Sequence, residues 1–274
     1  MTTKHTSNLK LTTQGPPYPP SEIMDKDGNF IVIGNLIQED LTMKWGAAIV
    51  SAQSPVPEFG KLLPYKVVRY LSSDELASSD AVLYTVSLPL ACNNYPCVFA
   101  PEQLPHAHSI VRPSLPLHEA YIPDYRPMDG RKITSPITLG QWCKAKGTMT
   151  VEVADDSADF SFEFEGLIPH SLYTIMALRR HEIRPKDPQR PGPLGIPNVF
   201  IADANGRATY FARMPNPFPT GPDANRIIDV IVLWMSSQMS YGGAIGHHGL
   251  GGDVHAQLKS GPVPFEGLET RGQP

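Results

Sequence analysis

The chain has 274 residues, enough for one large β domain or two smaller ones with a buried core. Hydrophobic residues make up 41% and charged residues 18%, and the net charge is −4 from 23 basic and 27 acidic side chains. A nucleic-acid-binding surface normally carries a basic excess, so this balance argues against a nucleic-acid partner. No run of about 18 apolar residues occurs, so no membrane span is expected either.

Proline is the unusual residue of this composition, with 29 copies, about twice the average usage. The prolines and the 22 glycines are spread along the chain and separate many short apolar segments. This pattern predicts an all-β protein: an antiparallel β-sandwich, jelly-roll-like, with long proline-rich loops and only short helical turns.

The three cysteines, Cys92, Cys97 and Cys143, bear on the cellular compartment. An odd number of cysteines without an N-terminal apolar signal segment predicts reduced thiols in a cytoplasmic protein. A bridge between Cys92 and Cys97 stays open as an alternative. No cysteine pair has the spacing of a zinc site, so no structural zinc is expected.

The domain organisation follows from the distribution of proline. Residues 1–28 are polar and proline-rich, and we expect them to form an arm on the surface. Residues 29–274 are expected to form a single β-sandwich domain. Within it, residues 29–99 pack on the outside of a C-terminal sheet, 148–258, through a proline-rich connection at 100–147.

The N-terminal half is predicted to contain strands at 29–37, 44–50, 64–71 and 81–90. A helical turn after residue 71 would be capped by Ser72 or Ser73. In the last strand, Val82, Tyr84, Val86 and Leu88 would share one face.

The C-terminal half has the clearer pattern. A short helix is expected within 135–147, and the strands are predicted at 148–153, 159–165, 171–178, 227–235 and 254–258. Residues 198–213 are expected to form a hairpin, because Asn205-Gly206 is a strong turn signal. Residues 227–235 are apolar on both faces, so both faces of that strand must be covered.

Two segments of this half, EFEGLIPHSLYTI and NVFIADANGRATY, resemble strand–turn–strand units of bacterial β-sandwich domains, including superoxide-dismutase-like ones. The copper and zinc ligand pattern of that family is not reproduced here. The resemblance therefore implies a sandwich fold and no ligand residues.

No nucleotide-binding or zinc-protease motif is present: there is no GxGxxG, Walker loop, GxSxG or HExxH, so we expect no cofactor. His106 and His108 resemble the HxH of cupins in those three residues only, and Pro105 and Pro113 indicate a loop rather than a strand. If a metal is bound, the candidate ligands are His106, His108, His247, His248 and His255.

The segment GHHGLGGDVHAQL, residues 246–258, is the richest in candidate chemistry. Read as a strand, its end places Val254, Ala256 and Leu258 on one face. Asp253, His255 and Gln257 fall on the other face, where they could line a polar pocket.

Asp229 lies in the preceding apolar strand, in phase with apolar side chains, so burial would leave this carboxylate in need of a partner such as an imidazole.

These residues support a first hypothesis, an enzyme that transforms a small, largely apolar organic molecule by proton transfer, as in lyases, isomerases or cyclases. His255 would be the general acid/base, oriented by Asp253 or Asp229. The substrate-binding candidates are Gln257, His247, His248, Tyr173, Trp234 and Trp142. Replacing His255 with alanine would then leave the fold intact and lower activity about a hundredfold.

Two other functions remain open. The first is a non-catalytic β-sandwich module for binding or assembly, and the second is a metal enzyme with histidine ligands. A homo-oligomer is a further expectation, since proline-rich arms suit subunit contacts. The identity of the substrate does not follow from the sequence.

Overall fold

The computed structural model describes residues 3–15, 20–55, 57–58, 60–89, 106, 109–122, 129–184, 186, 191–243 and 245–271. In chain order its strands are β1 (Thr3–Asn8), β2 (Lys10–Leu11), β3 (Ile23–Met24), β4 (Phe30–Ile37), β5 (Met43–Val50), β6 (Val67–Tyr70), β7 (Tyr84–Thr85), β8 (Lys146–Val153), β9 (Ser157–Glu165), β10 (Leu172–Arg179), β11 (Gly192–Pro193), β12 (Val199–Ile201), β13 (Ala208–Pro215), β14 (Ile227–Met235) and β15 (Val254–Lys259). The α-helices of the described residues are α1 (Ser73–Ser78) and α2 (Leu139–Trp142), and short 3-10 turns lie at Leu117–Glu119, Arg180–Ile183 and Val263–Phe265.

The strands form three antiparallel sheets, which confirms the all-β prediction. The first sheet has the order β1-β8-β9-β13. The second has the order β11-β10-β14-β15-β2, with β12 also paired to β10, and the third has the order β6-β5-β4-β3-β7. None of the helices in the described residues has the length and apolar character that a membrane span requires.

The clearest sequence pattern, the alternation in β8 and β9, is reproduced. Met149 lies opposite Phe162 and Val151 opposite Phe160 in the register of the pair. These side chains are buried, as is Phe164, because alternate residues of a strand point to the same face. The predicted helix N-cap is also present, at Ser72, whose side chain accepts a hydrogen bond from the Glu75 N–H at the start of α1.

The predicted hairpin at 198–213 is wrong. The turn forms, with the Asp203 N–H donating to the Arg207 carbonyl and Gly206 at φ 70°. The strands on either side then separate, because β12 pairs with β10 in the second sheet and β13 pairs with β9 in the first. A turn signal fixes the reversal of the chain but not the partner of each strand.

The long strand predicted at 81–90 is reduced to Tyr84–Thr85. Around it lie isolated bridges, from Val82 to Thr138, from Tyr84 to Pro116 and from Leu88 to Arg112. The partner segments contain prolines, which lack the N–H group that a continuous ladder requires.

The N-terminal segment predicted as a surface arm supplies strands to all three sheets instead. β1 pairs with β8, β2 with β15, and β3 with β4 and β7. Between β2 and β3, the polar side chains of Thr12, Thr13, Gln14, Ser21 and Glu22 are fully buried. These residues of the arm are therefore part of the core, and Thr12 and Thr13 donate to backbone carbonyls of β4.

The second sheet is covered on both faces, as we predicted from the apolar residues on both faces of the strand at 227–235. One face shares a core with the first sheet and with β3, β4 and β5 of the third. The other face, which includes Ile231 and Leu233, packs under Ile245 and Leu250 of the segment between β14 and β15. The N-terminal half was expected to cover this outer face, and Leu62 packs there beside Ile245 and Leu250.

Candidate functional site

The end of the glycine-rich segment forms β15 with a β-bulge at Gln257. Val232 lies opposite Leu258 and Leu233 opposite Ala256, so Gln257 is the extra residue. Leu258 consequently joins the core between the sheets, whereas Val254 and Ala256 pack on the outer face. The predicted common face of Val254, Ala256 and Leu258 is therefore wrong, because strict alternation ends at a bulge.

His255 is fully buried in the core beside Trp234, with 5.9 Å between their ring centroids. Its Nδ1 lies 2.9 Å from the Glu22 carbonyl oxygen, so Nδ1 carries the proton and donates it. Its Nε2 lies 2.9 Å from the Ser236 hydroxyl and accepts from it. Burial lowers the pKa of His255 to about 3, so the imidazole is neutral at pH 7. The general acid/base role expected from the sequence required titration near neutrality, and this pKa contradicts it.

Most of the other predicted pocket residues form a hydrogen-bonded network in the same core. The Gln257 side chain accepts from the Tyr173 hydroxyl at 2.9 Å and donates to the Trp142 carbonyl at 3.0 Å. The Tyr173 hydroxyl also accepts from the Ile168 N–H at 2.9 Å. Trp234 packs edge-on against Trp142, with ring centroids 6.2 Å apart. The aromatic side chains are 0% exposed, so they have no surface left for a ligand.

Asp229 lies at the opposite end of the β14–β15 pair from Asp253. Its carboxylate accepts from the Ser260 hydroxyl and the Gly261 N–H, at 2.9 and 2.7 Å. His255 faces Trp234 across the pair, roughly 16 Å further along β14 at 3.3 Å per residue. Asp229 therefore does not orient His255. It accepts the hydrogen bonds of Ser260 and Gly261, which follow the end of β15.

A buried acid that the sequence analysis overlooked, Glu22, lies beside this network. Its carboxylate accepts from the Ala256 N–H of β15, and burial raises its pKa to about 8 although that hydrogen bond opposes the shift. Lys259 is buried nearby and donates to the carbonyls of Gln14 and Gly15 at 3.1 and 3.2 Å. Burial lowers the pKa of Lys259, and the neighbouring carboxylates of Asp229 and Glu22 oppose that shift.

The start of the same segment gathers a different set of polar groups. The Asp253 carboxylate is buried and accepts from the His248 backbone N–H at 2.8 Å. Its other oxygen lies 4.0 Å from Nη1 of Arg112, whose Nη2 donates to the Gly252 carbonyl at 2.9 Å. Beside His248, the ring of His247 lies 5.0 Å from that of Tyr241. We call Arg112, His248 and Asp253 the turn site.

Glycine is required at two positions of the turn. Gly246 has φ 105°, and a Cβ there would lie 3.0 Å from the Asp253 carboxylate. A Cβ on Gly252 would collide with the side chain of His248. Glycine therefore lets the backbone fold closely around Asp253 and brings His248 over it.

Arg112 reaches the turn from the proline-rich part of the chain. Backbone hydrogen bonds of 2.7 Å in both directions join it to Leu88, and the Val86 N–H donates to the Gly251 carbonyl at 3.0 Å. The Arg112 side chain remains 17% exposed, and His248 is half-buried. The turn site therefore lies at the protein surface, with the carboxylate beneath it.

Two buried nitrogens of the turn site have no hydrogen-bond partner among the described residues: Nε of Arg112 and Nδ1 of His248. Burial lowers the pKa of His248 below its ordinary value; the Asp253 carboxylate opposes this shift and the Arg112 guanidinium adds to it. The imidazole is therefore neutral at pH 7, with one ring nitrogen able to accept a hydrogen bond.

The described histidines among the five metal-ligand candidates do not form one metal site. His255 is fixed in the core, His106 lies exposed in a loop, and His108 lies outside the described residues. Within the described ranges, no three histidine, cysteine, aspartate or glutamate side chains are grouped so that they could hold a metal ion. Cys143 is a free thiol whose pKa burial raises to about 12, and Cys92 and Cys97 lie outside the described residues.

Comparison with family models, curated proteins and solved structures finds no match to this chain. Arg112 was missed in the sequence because 141 residues separate it from Asp253 and it belongs to no motif. For Asp253, His247 and His248, the signal was the glycine-rich turn itself.

Proposed function

We propose that this protein is a small-molecule enzyme that moves a proton at the turn site, on an organic substrate that carries an oxyanion such as a carboxylate. The proposal keeps the chemistry expected from the sequence, with no nucleotide cofactor. It transfers the acid/base role from His255, which is enclosed in the core, to His248, which is half-buried at the surface.

The observation that carries the proposal is the pair of unpaired buried nitrogens. Buried polar groups are nearly always hydrogen-bonded, and an unsatisfied one calls for an explanation such as a ligand or a catalytic role. Among the described residues seven buried side-chain atoms lack a partner, and two of them, Nε of Arg112 and Nδ1 of His248, lie around one carboxylate. A bound oxyanion would satisfy the Arg112 Nε–H, and a substrate proton donor would satisfy Nδ1 of His248.

Each group has a distinct role in the proposal. The Arg112 guanidinium, held by the Gly252 carbonyl, binds the oxyanion of the substrate. The neutral His248 imidazole accepts a proton from the carbon or oxygen next to that anion. Asp253 fixes the His248 backbone and stabilises the positive charge that His248 gains on accepting a proton.

The reaction class is proton abstraction beside a carboxylate, a step shared by lyases, isomerases and cyclases. The proposed partner is a small organic molecule, since a net charge of −4 disfavours binding to nucleic acid. A homo-oligomer and a cytoplasmic location stay predictions; the free thiol of Cys143 is in keeping with a reducing compartment.

The test is proton exchange in D2O, followed by 1H NMR, over a panel of small 2-oxo, 3-oxo and unsaturated carboxylates. We expect the protein to accelerate exchange at the carbon next to the functional group of at least one compound. His248→Gln should slow this exchange by about a hundredfold, the usual contribution of a general base. Arg112→Gln should mainly weaken binding, because it removes the group that holds the anion.

The matched control is His5→Gln, which changes a histidine on β1 outside the turn site and should exchange like the wild type. Wild-type exchange no faster than buffer across the panel would contradict the proposal. Binding of a carboxylate at Arg112 without any exchange would favour the non-catalytic binding module instead.

A further inference from the structure

A second candidate ligand site lies away from the turn site, in a cleft of about 590 Å³. One wall is the segment 129–137, and the other is the turn between β9 and β10 at 168–170, with Ile201 of β12 beside it. This volume falls within the range of small-molecule sites in proteins. We call it the cationic cleft.

The exposed charged groups of the cleft are positive. Arg131 and Lys132 line it, and both are exposed, so their polar ends are available to a ligand. The other exposed or partly buried polar side chains of the lining are Thr134, Ser135, Gln141 and His170. Asp129 is the acidic residue among the described lining residues, but it is 2% exposed and its carboxylate accepts from the Ser240 N–H at 2.6 Å. Asp203 lies near His170 and is not part of the lining. The charges therefore favour an anionic ligand.

The remaining lining is largely apolar. Ile133, Ile137, Ile168 and Ile201 all contribute to it. Ile201 is 47% exposed, and it faces the cleft. An apolar lining with a cationic rim suits a molecule that has an apolar body and one anionic group.

Both walls are fixed by buried hydrogen bonds. Gly130 donates to the Gln238 carbonyl at 2.8 Å, and Gln238 also accepts from the Leu172 N–H at 2.8 Å. On the other wall, the Ile168 N–H donates to the Tyr173 hydroxyl, which donates to Gln257. The core network that holds Tyr173 thus also positions the turn that lines the cleft. A preformed site loses less conformational entropy on binding.

We propose that the cationic cleft binds a small organic carboxylate with an apolar body. Arg131 is the anchor, since a guanidinium can donate two parallel hydrogen bonds to a carboxylate. Lys132 adds a second positive charge, and the isoleucines contact the apolar body. This site is independent of the proposed function at the turn site.

Octanoate is a suitable probe, and its binding can be measured by isothermal titration calorimetry at low ionic strength. We expect saturable binding of octanoate, and binding of the neutral octanamide at least tenfold weaker. The double variant Arg131→Gln/Lys132→Gln should weaken octanoate binding tenfold or more. Ile201→Ser should also weaken it, because the variant removes apolar contact without changing charge.

Lys146→Gln is the matched charge control, since Lys146 is an exposed lysine on β8 outside the cleft. It should bind octanoate like the wild type. Loss of all octanoate binding in Arg112→Gln would assign the binding to the turn site and overturn the inference. The inference is overturned if octanoate does not bind saturably. Equal weakening in the double variant and in Lys146→Gln would overturn it as well.

Discussion

Replacing His255 with alanine is expected to destabilise the protein by about 3–5 kcal/mol. The change leaves the Glu22 carbonyl and the Ser236 hydroxyl without their partner, at roughly 1–3 kcal/mol for each buried group that cannot be paired elsewhere. It also opens a cavity beside Trp234. The free energy of unfolding from urea denaturation measures the effect. This expectation replaces the intact fold predicted from the sequence.

Two further variants separate the roles of the histidines. His255→Asn keeps a side-chain N–H that can donate to the Glu22 carbonyl, so its loss should be smaller than that of His255→Ala. His248→Ala should change stability by less than about 1 kcal/mol, because Asp253 binds the backbone of His248 rather than its ring. If His255→Ala unfolds with the same free energy as the wild type, His255 is not a structural residue and its assignment to the core network is wrong.

Glu22→Gln is expected to change how stability depends on pH. The carboxyl of Glu22 has a pKa of about 8 in the folded protein, against an ordinary value near 4.5. A raised pKa means that the folded state holds the proton more tightly than the unfolded chain does. The stability that Glu22 contributes in this way is therefore fully present below pH 4.5. It is lost as the pH rises through 8, and at about 1.4 kcal/mol per unit the loss amounts to about 3–5 kcal/mol.

The glutamine variant removes this titration and keeps an amide oxygen that can accept from the Ala256 N–H. From pH 5 to pH 9, its free energy of unfolding should therefore gain about 3–5 kcal/mol relative to the wild type. Urea denaturation at pH 5, 7 and 9 gives this difference. Glu163→Gln, at an exposed position on β9, is the control and should give a flat difference. Parallel profiles for Glu22→Gln and the wild type would contradict the burial of a protonated Glu22.

His255 gives a contribution of the opposite sign. Its folded pKa of about 3 lies below the ordinary value near 6.5, so the unfolded chain binds a proton in this interval and the folded protein does not. Stability from this group is complete above pH 6.5 and is lost as the pH falls towards 3. Taken together, Glu22 and His255 favour a stability maximum between about pH 4.5 and 6.5.

The strands whose buried face could be predicted from the sequence are those in which burial alternates. β8 and β9 follow the pleat over their whole length, and the pattern of Phe160, Phe162 and Phe164 specifies the buried face. The pairing of β12 and β13 could not be predicted, because the two strands lie on either side of a strong turn signal but belong to different sheets. Partner choice depends on contacts made far away in the sequence.

The candidate site was only partly predictable for a similar reason. The separation of Asp253, His255 and Gln257 from apolar neighbours was visible in the sequence, but a polar face can line a pocket or pair with polar groups in a core. Glu22 and Ser236, which satisfy His255, lie 233 and 19 residues away. Without these partners, the sequence could not distinguish a catalytic imidazole from a structural one.

Histidine ring 15N NMR shows whether His248, and not His255, is the imidazole available for chemistry. Spectra of protein labelled at histidine would be recorded from pH 8 to pH 5, without and with the carboxylate that binds best at the turn site. We expect His255 to keep the Nδ1–H neutral form throughout, with no response to the ligand, and the ring nitrogens of His248 to shift when the ligand binds. Titration of His255 near pH 6.5, or a ligand response at His255 with none at His248, would contradict this expectation.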